Sequence, residues 1–218
     1  VPSLVSLVAQ GGECRRMMGL ALKNVGLTLY QDGKSIFQEQ GEALFTHFGL
    51  SGPLVLSASA HLGDLTKHRY EVGFDLKPAL SHEQLYARLN RDLTALANRD
   101  AANCLVKLLP ASMQPVMVER WGVDPAKKAN QLTKEERLAL VDLMKDFRIR
   151  IRDRGDLEHA VITSGGVAVK EVDPRTMASK KCPGLYFAGE VLDVDAYTGG
   201  FNLQIAWCTA QAAARGLA

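Results

Sequence analysis

The C-terminal stretch from Pro183 to Ala218 constrains the fold of this chain most, because it carries three signals in a fixed order. A continuous apolar run over Leu185–Ala188 predicts a strand that is buried on both faces, as in a parallel sheet. An acidic loop over residues 193–195 follows, and then Thr198-Gly199-Gly200. Apolar residues at helical spacing come next, with many alanines that would let a helix lie close against a sheet. We therefore predict a strand, a loop and a helix.

The glycines before this helix predict a site for an anion or a dipole. The first N–H groups of a helix have no intrahelical acceptor, so residues 200–203 can direct donors at a phosphate, carboxylate or carbonyl oxygen. Gly199 and Gly200 remove side chains that would keep a ligand away. Glu190, at the end of the predicted strand, can accept hydrogen bonds from a sugar-like polyol. A plain turn with Thr198 as a helix cap explains the same residues without a ligand.

The composition describes an ordinary globular chain and excludes several function classes. The chain has 218 residues, of which 47% are hydrophobic and 23% charged, and a net charge of +2, too mild to imply nucleic acid binding by itself. No apolar run approaches the roughly 18 residues of a membrane span, so we expect no membrane association. The four cysteines lie far apart without metal-ligand spacing, so we expect reduced thiols, no metal and a cytoplasmic protein.

Residues 1–80 read mostly as β structure, which suggests a small barrel or sandwich. Gln31-Asp32-Gly33-Lys34 predicts a type I′ hairpin turn. Pro53 predicts a second glycine-led helix start. A partly buried structural role fits His47 better than catalysis, so His47 is a weak catalytic candidate. The predicted strand segments are Leu4–Ala9, Leu20–Tyr30, Ser35–Glu39, Glu42–Thr46 and Arg69–Asp75.

Residues 81–147 change to helical periodicity, and β character returns from residue 148. Ser81-x-x-Gln84 and Thr133-x-x-Glu136 have the form of capping boxes, and two shorter helices are predicted over 101–109 and 113–121. Residues 147–152 alternate strictly, which places three arginines on one face. That face can meet phosphates, although a solvated or charge-protected edge strand is the commoner explanation.

Four motifs in a fixed order resemble those of a known family. They are Gly41-Glu42-x-Leu44-Phe45-Thr46-His47-x-Gly49-Leu50-Ser51-Gly52-Pro53, Thr163-x-Gly165-Gly166-Val167, Thr176-Met177-x-Ser179-Lys180, and Gly184 to Asp195 followed by Thr198 to Gln204. Together they resemble the BaiN/YhiN-like family of FAD-dependent oxidoreductases. The resemblance implies an α+β fold, with a small β-barrel-like insert, a helical subdomain and a C-terminal strand-loop-helix piece of a Rossmann-like FAD domain.

The resemblance also implies domain bounds and cofactor contacts. Residues 1–80 would be the β-rich part of the insert, 81–147 its helical part, 148–160 its return strand and 161–218 the C-terminal segment of the FAD domain. Glu190 would contact the ribityl chain of FAD, and the following helix start would face the flavin pyrimidine edge. The cofactor-binding residues would be Gly165, Gly166, Gly189, Glu190, Asp193, Thr198, Gly199, Gly200, Phe201, Asn202 and Leu203.

The main departure from the family is the lack of a G-x-G-x-x-G sequence after a strand near the start. We therefore expect a missing N-terminal FAD-binding segment as the partner of this chain, and weak FAD binding by the chain alone. Ala178 and Ala196 depart from the Glu and Gly typical of the family.

The resemblance implies reduction of an activated C=C bond, with NAD(P)H as electron donor. The substrate would be an unsaturated acid or a pyrimidine in structured RNA, for which the arginine strand and Lys127-Lys128 are suited. The alternative is a binding or interaction module without catalysis, possible for a chain that lacks half of the FAD site.

Overall fold

The computed structural model describes residues 1–217, which divide into two units. The first unit contains residues 1–6, 55–62 and 154–218, and the second contains residues 7–54 and 63–153. Among residues 1–217, no helix is long and apolar enough to cross a membrane.

The second unit is built on a closed barrel of six strands in the order β2-β5-β4-β3-β6-β7. The barrel closes between β7 and β2, where the Gln10 amide donates to the Arg150 carbonyl at 2.8 Å. Closure leaves no free sheet edge, and the predicted α+β fold with a small barrel is confirmed. The strands are β2 (Leu7–Ala9), β3 (Ala21–Gln31), β4 (Lys34–Phe45), β5 (Gly49–Ser51), β6 (Tyr70–Asp75) and β7 (Phe147–Arg154).

The β3–β4 hairpin turns as its sequence predicts. Asp32 and Gly33 have φ values of 51° and 82°, and Gln31 pairs with Lys34 across a two-residue turn. The predicted break at Gly41 is wrong, because β4 runs unbroken through this residue. Gly41 pairs with Val25 next to a register shift in β3, so the glycine lies beside a bulge and the strand continues.

Strand β7 shows the predicted alternation. Phe147, Ile149 and Ile151 are buried in the barrel, whereas Arg150 and Arg152 are exposed. A one-residue shift in register would place the arginines in the apolar interior, so this pattern fixes the pairing of β7 with β6.

Four helices lie wholly in the second unit: α1 (Glu13–Arg16), α3 (His82–Ala95), α4 (Gln114–Trp121) and α5 (Lys134–Lys145). Both predicted capping boxes are confirmed, with the Ser81 and Thr133 side chains accepting from the Gln84 and Glu136 amides. The helix predicted over 101–109 is wrong beyond a single 3₁₀ turn at Ala101–Asn103. The Ala101 and Ala102 amides donate to the carbonyls of Lys127 and Pro125, at 2.8 and 3.0 Å, which ties this turn to residues 125–127.

The first unit contains β1 (Pro2–Ser3) paired with β8 (Ile162–Thr163), and the long helix α6 (Phe201–Leu217). Helix α2 (Pro53–Ser59) starts at the predicted proline and ends in this unit. Ala212 and Ala213 of α6 pack against a small buried cluster of Val172, Met177 and Leu192.

The strand predicted over Leu185–Ala188 is wrong within the described residues. Tyr186 forms one isolated bridge with Ala178, and Leu185 is 43% exposed. A strand of a parallel sheet needs hydrogen-bonding neighbours along its length, and among the described residues this segment has a single bridge. The helix that follows, by contrast, forms as predicted.

Gly49→Ala is expected to destabilise the second unit strongly. A Cβ at Gly49 would lie 2.1 Å from the Leu7 carbonyl oxygen, in the pairing of β2 with β5. Overpacking of this kind costs about 1–3 kcal/mol, and backbone atoms cannot move aside easily. Urea unfolding monitored by circular dichroism measures the loss. Gly12→Ala is the matched control, because nothing lies within 4 Å of a Cβ there. Equal stability of the two variants would contradict the tight β2–β5 approach.

Candidate functional site

The first unit contains a cavity of about 410 Å³ at the start of α6. Seven of the predicted cofactor residues line it: Gly189, Glu190, Thr198, Gly199, Gly200, Asn202 and Leu203. Apolar side chains complete the wall, among them Ile162, Val194 and Ile205. The structure therefore brings most of the predicted site into one place, although the strand expected to carry Glu190 is absent.

Glu190 lies in a 3₁₀ turn, Gly189–Val191, and its carboxylate has a fixed position. Its Oε1 atom accepts from the Thr163 amide at 2.5 Å and from the Thr163 hydroxyl at 2.8 Å. Gly189 has a φ of +74°, and its amide donates to Thr209 Oγ1 at 2.9 Å. One carboxylate oxygen accepts both bonds from Thr163. The side chain is exposed, so its second oxygen is available to a polyol or amide ligand.

The glycines before α6 adopt conformations with positive φ. Gly199 and Gly200 have φ values of 115° and 89°, and the first helical bond runs from the Gln204 amide to the Gly200 carbonyl at 3.0 Å. The Asn202 side chain holds the preceding loop, with bonds of 2.8 and 2.7 Å to the Ala196 backbone. Residues 201–203 thus present N–H groups without acceptors in their own helix.

Gly165, Gly166 and Asp193 lie in two loops that are hydrogen-bonded to each other. The Val167 amide donates to the Val191 carbonyl at 2.8 Å, and the Asp193 amide donates to the Val167 carbonyl at 2.9 Å. A Cβ at Gly166 would lie 2.4 Å from the Val191 oxygen. These residues hold two loops together, and they are not among the described residues that line the cavity.

A second cavity of about 490 Å³ adjoins the first and shares Asp195 and Tyr197 with it. Here His61 Nε2 and the Tyr197 hydroxyl are 2.6 Å apart. Phe201, predicted for the cofactor site, lines this second cavity. The pair was missed from the sequence because 136 residues separate its members. Only the position of Tyr197 beside Thr198-Gly199-Gly200 could have drawn attention to it.

His47 belongs to the second unit and is not among the described residues that line the cavity at the start of α6. It is exposed, and its ring meets Phe48 edge-on with centroids 5.0 Å apart. The predicted partly buried position is therefore wrong. The residue follows the last barrel residue of β4 and lies in the exposed turn before β5.

The predicted basic face of the second unit carries its own counter-ions. Arg148 pairs with Asp146 at 2.7 Å and with Glu71 at 3.4 Å, and it stacks over Tyr30. Asp146 holds the pKa of the Arg148 guanidinium above its usual range. Lys127 and Lys128 pair with Glu136 and Asp100, each at 2.6 Å. This pairing weakens the case for the face as a binding surface for phosphates.

The buried cysteines are structural. Burial raises the pKa of the Cys14 thiol to about 12 and that of the Cys104 thiol to about 11. Because the thiolate is the reactive form, neither is suited to nucleophilic catalysis. Within residues 1–217, no group of three or more His, Cys, Asp or Glu side chains is placed to hold a metal ion.

Comparison with known proteins places this geometry in a family. The sequence profile described as "HI0933-like protein barrel and H2TH domain" matches residues 1–162. The ribosomal RNA dihydrouridine synthase of Escherichia coli is 33% identical over 94% of this chain and 48% of its own length. The synthase of the same name from Haemophilus influenzae is 34% identical over 84% of this chain and 43% of its own length.

A third relative is named for a different activity. The 3-dehydro-bile acid delta(4,6)-reductase of Clostridium scindens is 28% identical over 100% of this chain and 54% of its own length. The chain thus spans about half the length of the curated relatives it matches. With the barrel, the profile match and the motifs in agreement, the chain belongs to the HI0933-like family, the BaiN/YhiN-like oxidoreductases that its motifs resemble.

Proposed function

We propose that this chain is a portion of an FAD-dependent oxidoreductase that reduces an activated C=C bond, with NAD(P)H as electron donor. The observation that carries the proposal is the cavity at the start of α6, where Glu190 and the Gly199-Gly200 backbone face one space. Its volume of about 410 Å³ lies within the range of small-molecule sites.

The residues present fit the flavin end of FAD. Glu190 offers a carboxylate acceptor to ribityl hydroxyls, and the residues 201–203 offer donors to the electron-rich pyrimidine edge of the ring. The apolar wall of Ile162, Val194 and Ile205 suits a flat ring system. Bound FAD would supply hydride transfer, and the chain itself would bind, orient and shield the reacting atoms.

The names of the relatives support a common chemistry. A dihydrouridine synthase and a delta(4,6)-reductase both act on C=C bonds conjugated with a carbonyl group. Two relatives above 30% identity are named for ribosomal RNA. A pyrimidine in structured RNA is therefore the first substrate class to test, and an unsaturated steroid acid the second.

The partner we propose is an N-terminal dinucleotide-binding segment, with residues 161–218 as the C-terminal part of the same FAD domain. One face of α6 packs on the Val172 cluster, and Gln204, Cys208, Gln211 and Arg215 form a polar face. The third face is an apolar stripe in the open: Leu203, Trp207, Ala210, Ala214 and Leu217. Trp207 is 74% exposed and Leu203 69%, which is costly for an apolar stripe unless another segment covers it.

We place the protein in the cytoplasm. Cys14, Cys104, Cys182 and Cys208 are all free thiols, which suits a reducing compartment. The alternative function is a binding module without catalysis, which the exposed Arg150 and Arg152 of β7 favour. It predicts RNA binding without flavin chemistry.

Trp207 tests the proposed partner. In the isolated chain its fluorescence is expected at the wavelength of water-exposed tryptophan, and acrylamide should quench it freely, because the ring is 74% exposed. Joining the chain to the dinucleotide-binding segment should shift the emission to the blue and protect it. The difference between the unaltered protein and Trp207→Phe isolates this signal from Trp121, which is 8% exposed. An unchanged Trp207 signal in the joined protein would count against the segment as the cover of α6.

Glu190 tests the flavin site. In the joined protein, Glu190→Ala should raise the FAD dissociation constant about tenfold or more, since a hydrogen bond to a charged group contributes about 1.5–3 kcal/mol. Glu190→Gln keeps an acceptor and should lose less. Glu158→Ala, an exposed glutamate of the same unit, is the matched control. Flavin fluorescence quenching gives the constants, and NAD(P)H oxidation with unmodified ribosomal RNA gives the activity. Equal FAD affinity of the Glu190 and Glu158 variants would refute the assignment.

A further inference from the structure

We propose that Tyr197 is the acid that protonates the substrate carbon, and that His61 positions the Tyr197 hydroxyl and returns its proton. The inference rests on the proposed function, and it names a catalytic residue that the family resemblance left unidentified. It starts from the 2.6 Å contact between His61 Nε2 and the Tyr197 hydroxyl.

Tyr197 stands where the two cavities of the first unit meet. It lines the cavity of Glu190 and Gly199-Gly200, and it lines the adjoining cavity with His61 and Phe201. The residue is 42% exposed and lines both cavities. A substrate held in the second cavity would lie beside a flavin held in the first.

His61 is itself held in place by the chain that carries it. It follows α2, and its amide donates to the Ala58 carbonyl at 3.1 Å. Its ring lies 5.8 Å from the Tyr197 ring, centroid to centroid, at an interplanar angle of 42°. The imidazole thus contacts the phenol through one nitrogen. When His61 Nε2–H donates to the phenol oxygen, the phenolic proton is left for the substrate.

The other polar side chains around Tyr197 are less suited to donate a proton. Glu190 already accepts from Thr163, and Asp195 Oδ2 accepts from the Ser3 hydroxyl at 3.2 Å. Both act as hydrogen-bond acceptors in these contacts, whereas a tyrosine hydroxyl carries an O–H donor. Among the groups of both cavities, the phenol held by His61 is the better general acid.

The chemical step balances without a further reagent. Bound FAD, once reduced by NAD(P)H, would supply the hydride that forms a C–H bond at the carbon β to the substrate carbonyl. The C=C π electrons move to the α carbon, which takes the proton as the Tyr197 O–H bond breaks. The phenolate then recovers a proton from His61, which exchanges with water. NAD(P)H is oxidised in total and the C=C bond is reduced.

A kinetic separation tests the inference in the flavin-loaded joined protein. Tyr197→Phe should bind FAD and reduce it with NAD(P)H within about twofold of the unaltered protein, but form product from unmodified ribosomal RNA about 100-fold more slowly or worse. If the protein reduces a 3-oxo-4,6-diene steroid acid instead of the RNA, the same slowing of product formation is expected with that probe. Tyr186→Phe is the matched control, because Tyr186 is in the same unit and outside both cavities.

His61 is tested by rescue. His61→Ala should slow product formation about tenfold with flavin reduction unchanged, and His61→Gln, which retains a hydrogen-bonding nitrogen, should recover part of the loss. A merely structural contact would instead lower the melting temperature and slow both half-reactions together.

A spectroscopic readout is independent of turnover. With ¹³C-labelled tyrosine ring carbons, the Tyr197 signal, assigned with Tyr197→Phe, should shift when FAD is added and when His61 is changed to Ala. Product formation by Tyr197→Phe at the unaltered rate, or a Tyr197 signal insensitive to FAD, would overturn the inference alone. Normal flavin reduction without product from either probe would overturn the proposed function and this inference with it.

Discussion

The cavity of the first unit depends on one close approach between two backbone segments. Val167 exchanges hydrogen bonds with residues 191 and 193, at 2.8 and 2.9 Å. That approach is open only to glycine at position 166, whose φ is +147° and whose Cβ would meet the Val191 oxygen at 2.4 Å. The pairing places Glu190 beside Thr163, and so sets one wall of the cavity before any ligand binds.

Helix α6 supplies another wall of the cavity, and its three faces have different environments. The half-buried face fastens the helix to the Val172 cluster, and the Asn202 side chain fastens its first turn to the preceding loop. The positive φ values of Gly199 and Gly200 then let the chain enter the helix with bare backbone toward the cavity. The apolar stripe with Leu203 and Trp207 is exposed, so the site is expected to depend on a further segment that covers this stripe.

Local chemistry made part of this fold predictable. The Asp32-Gly33 turn, the two capping boxes and the alternation of β7 each depend on residues a few positions apart, and each forms as predicted. The strand expected at Leu185–Ala188 and the helix expected over 101–109 depend on distant partners instead. The segment Leu185–Ala188 has a single bridge to Ala178. The start of the segment 101–109 is bonded to the distant carbonyls of Pro125 and Lys127.

The candidate site divides in the same way. Glu190 and the glycines before α6 could be predicted because they follow each other in the chain, and seven predicted residues do line one cavity. His61 and Tyr197 could not, since only the folded chain brings them together. The arginines of β7 were predicted on the correct face, but the acidic neighbours that pair with Arg148 come from other positions and are invisible to a local pattern.

Hydrogen–deuterium exchange of the joined protein, with and without FAD, tests the central claim that this cavity holds the flavin. The account predicts slower exchange on FAD binding at the amides of residues 163–167, 189–191 and 199–203. Helices α3 and α5 should be unchanged, since both belong to the second unit. Protection confined to the barrel unit, with none at residues 199–203, would contradict the account.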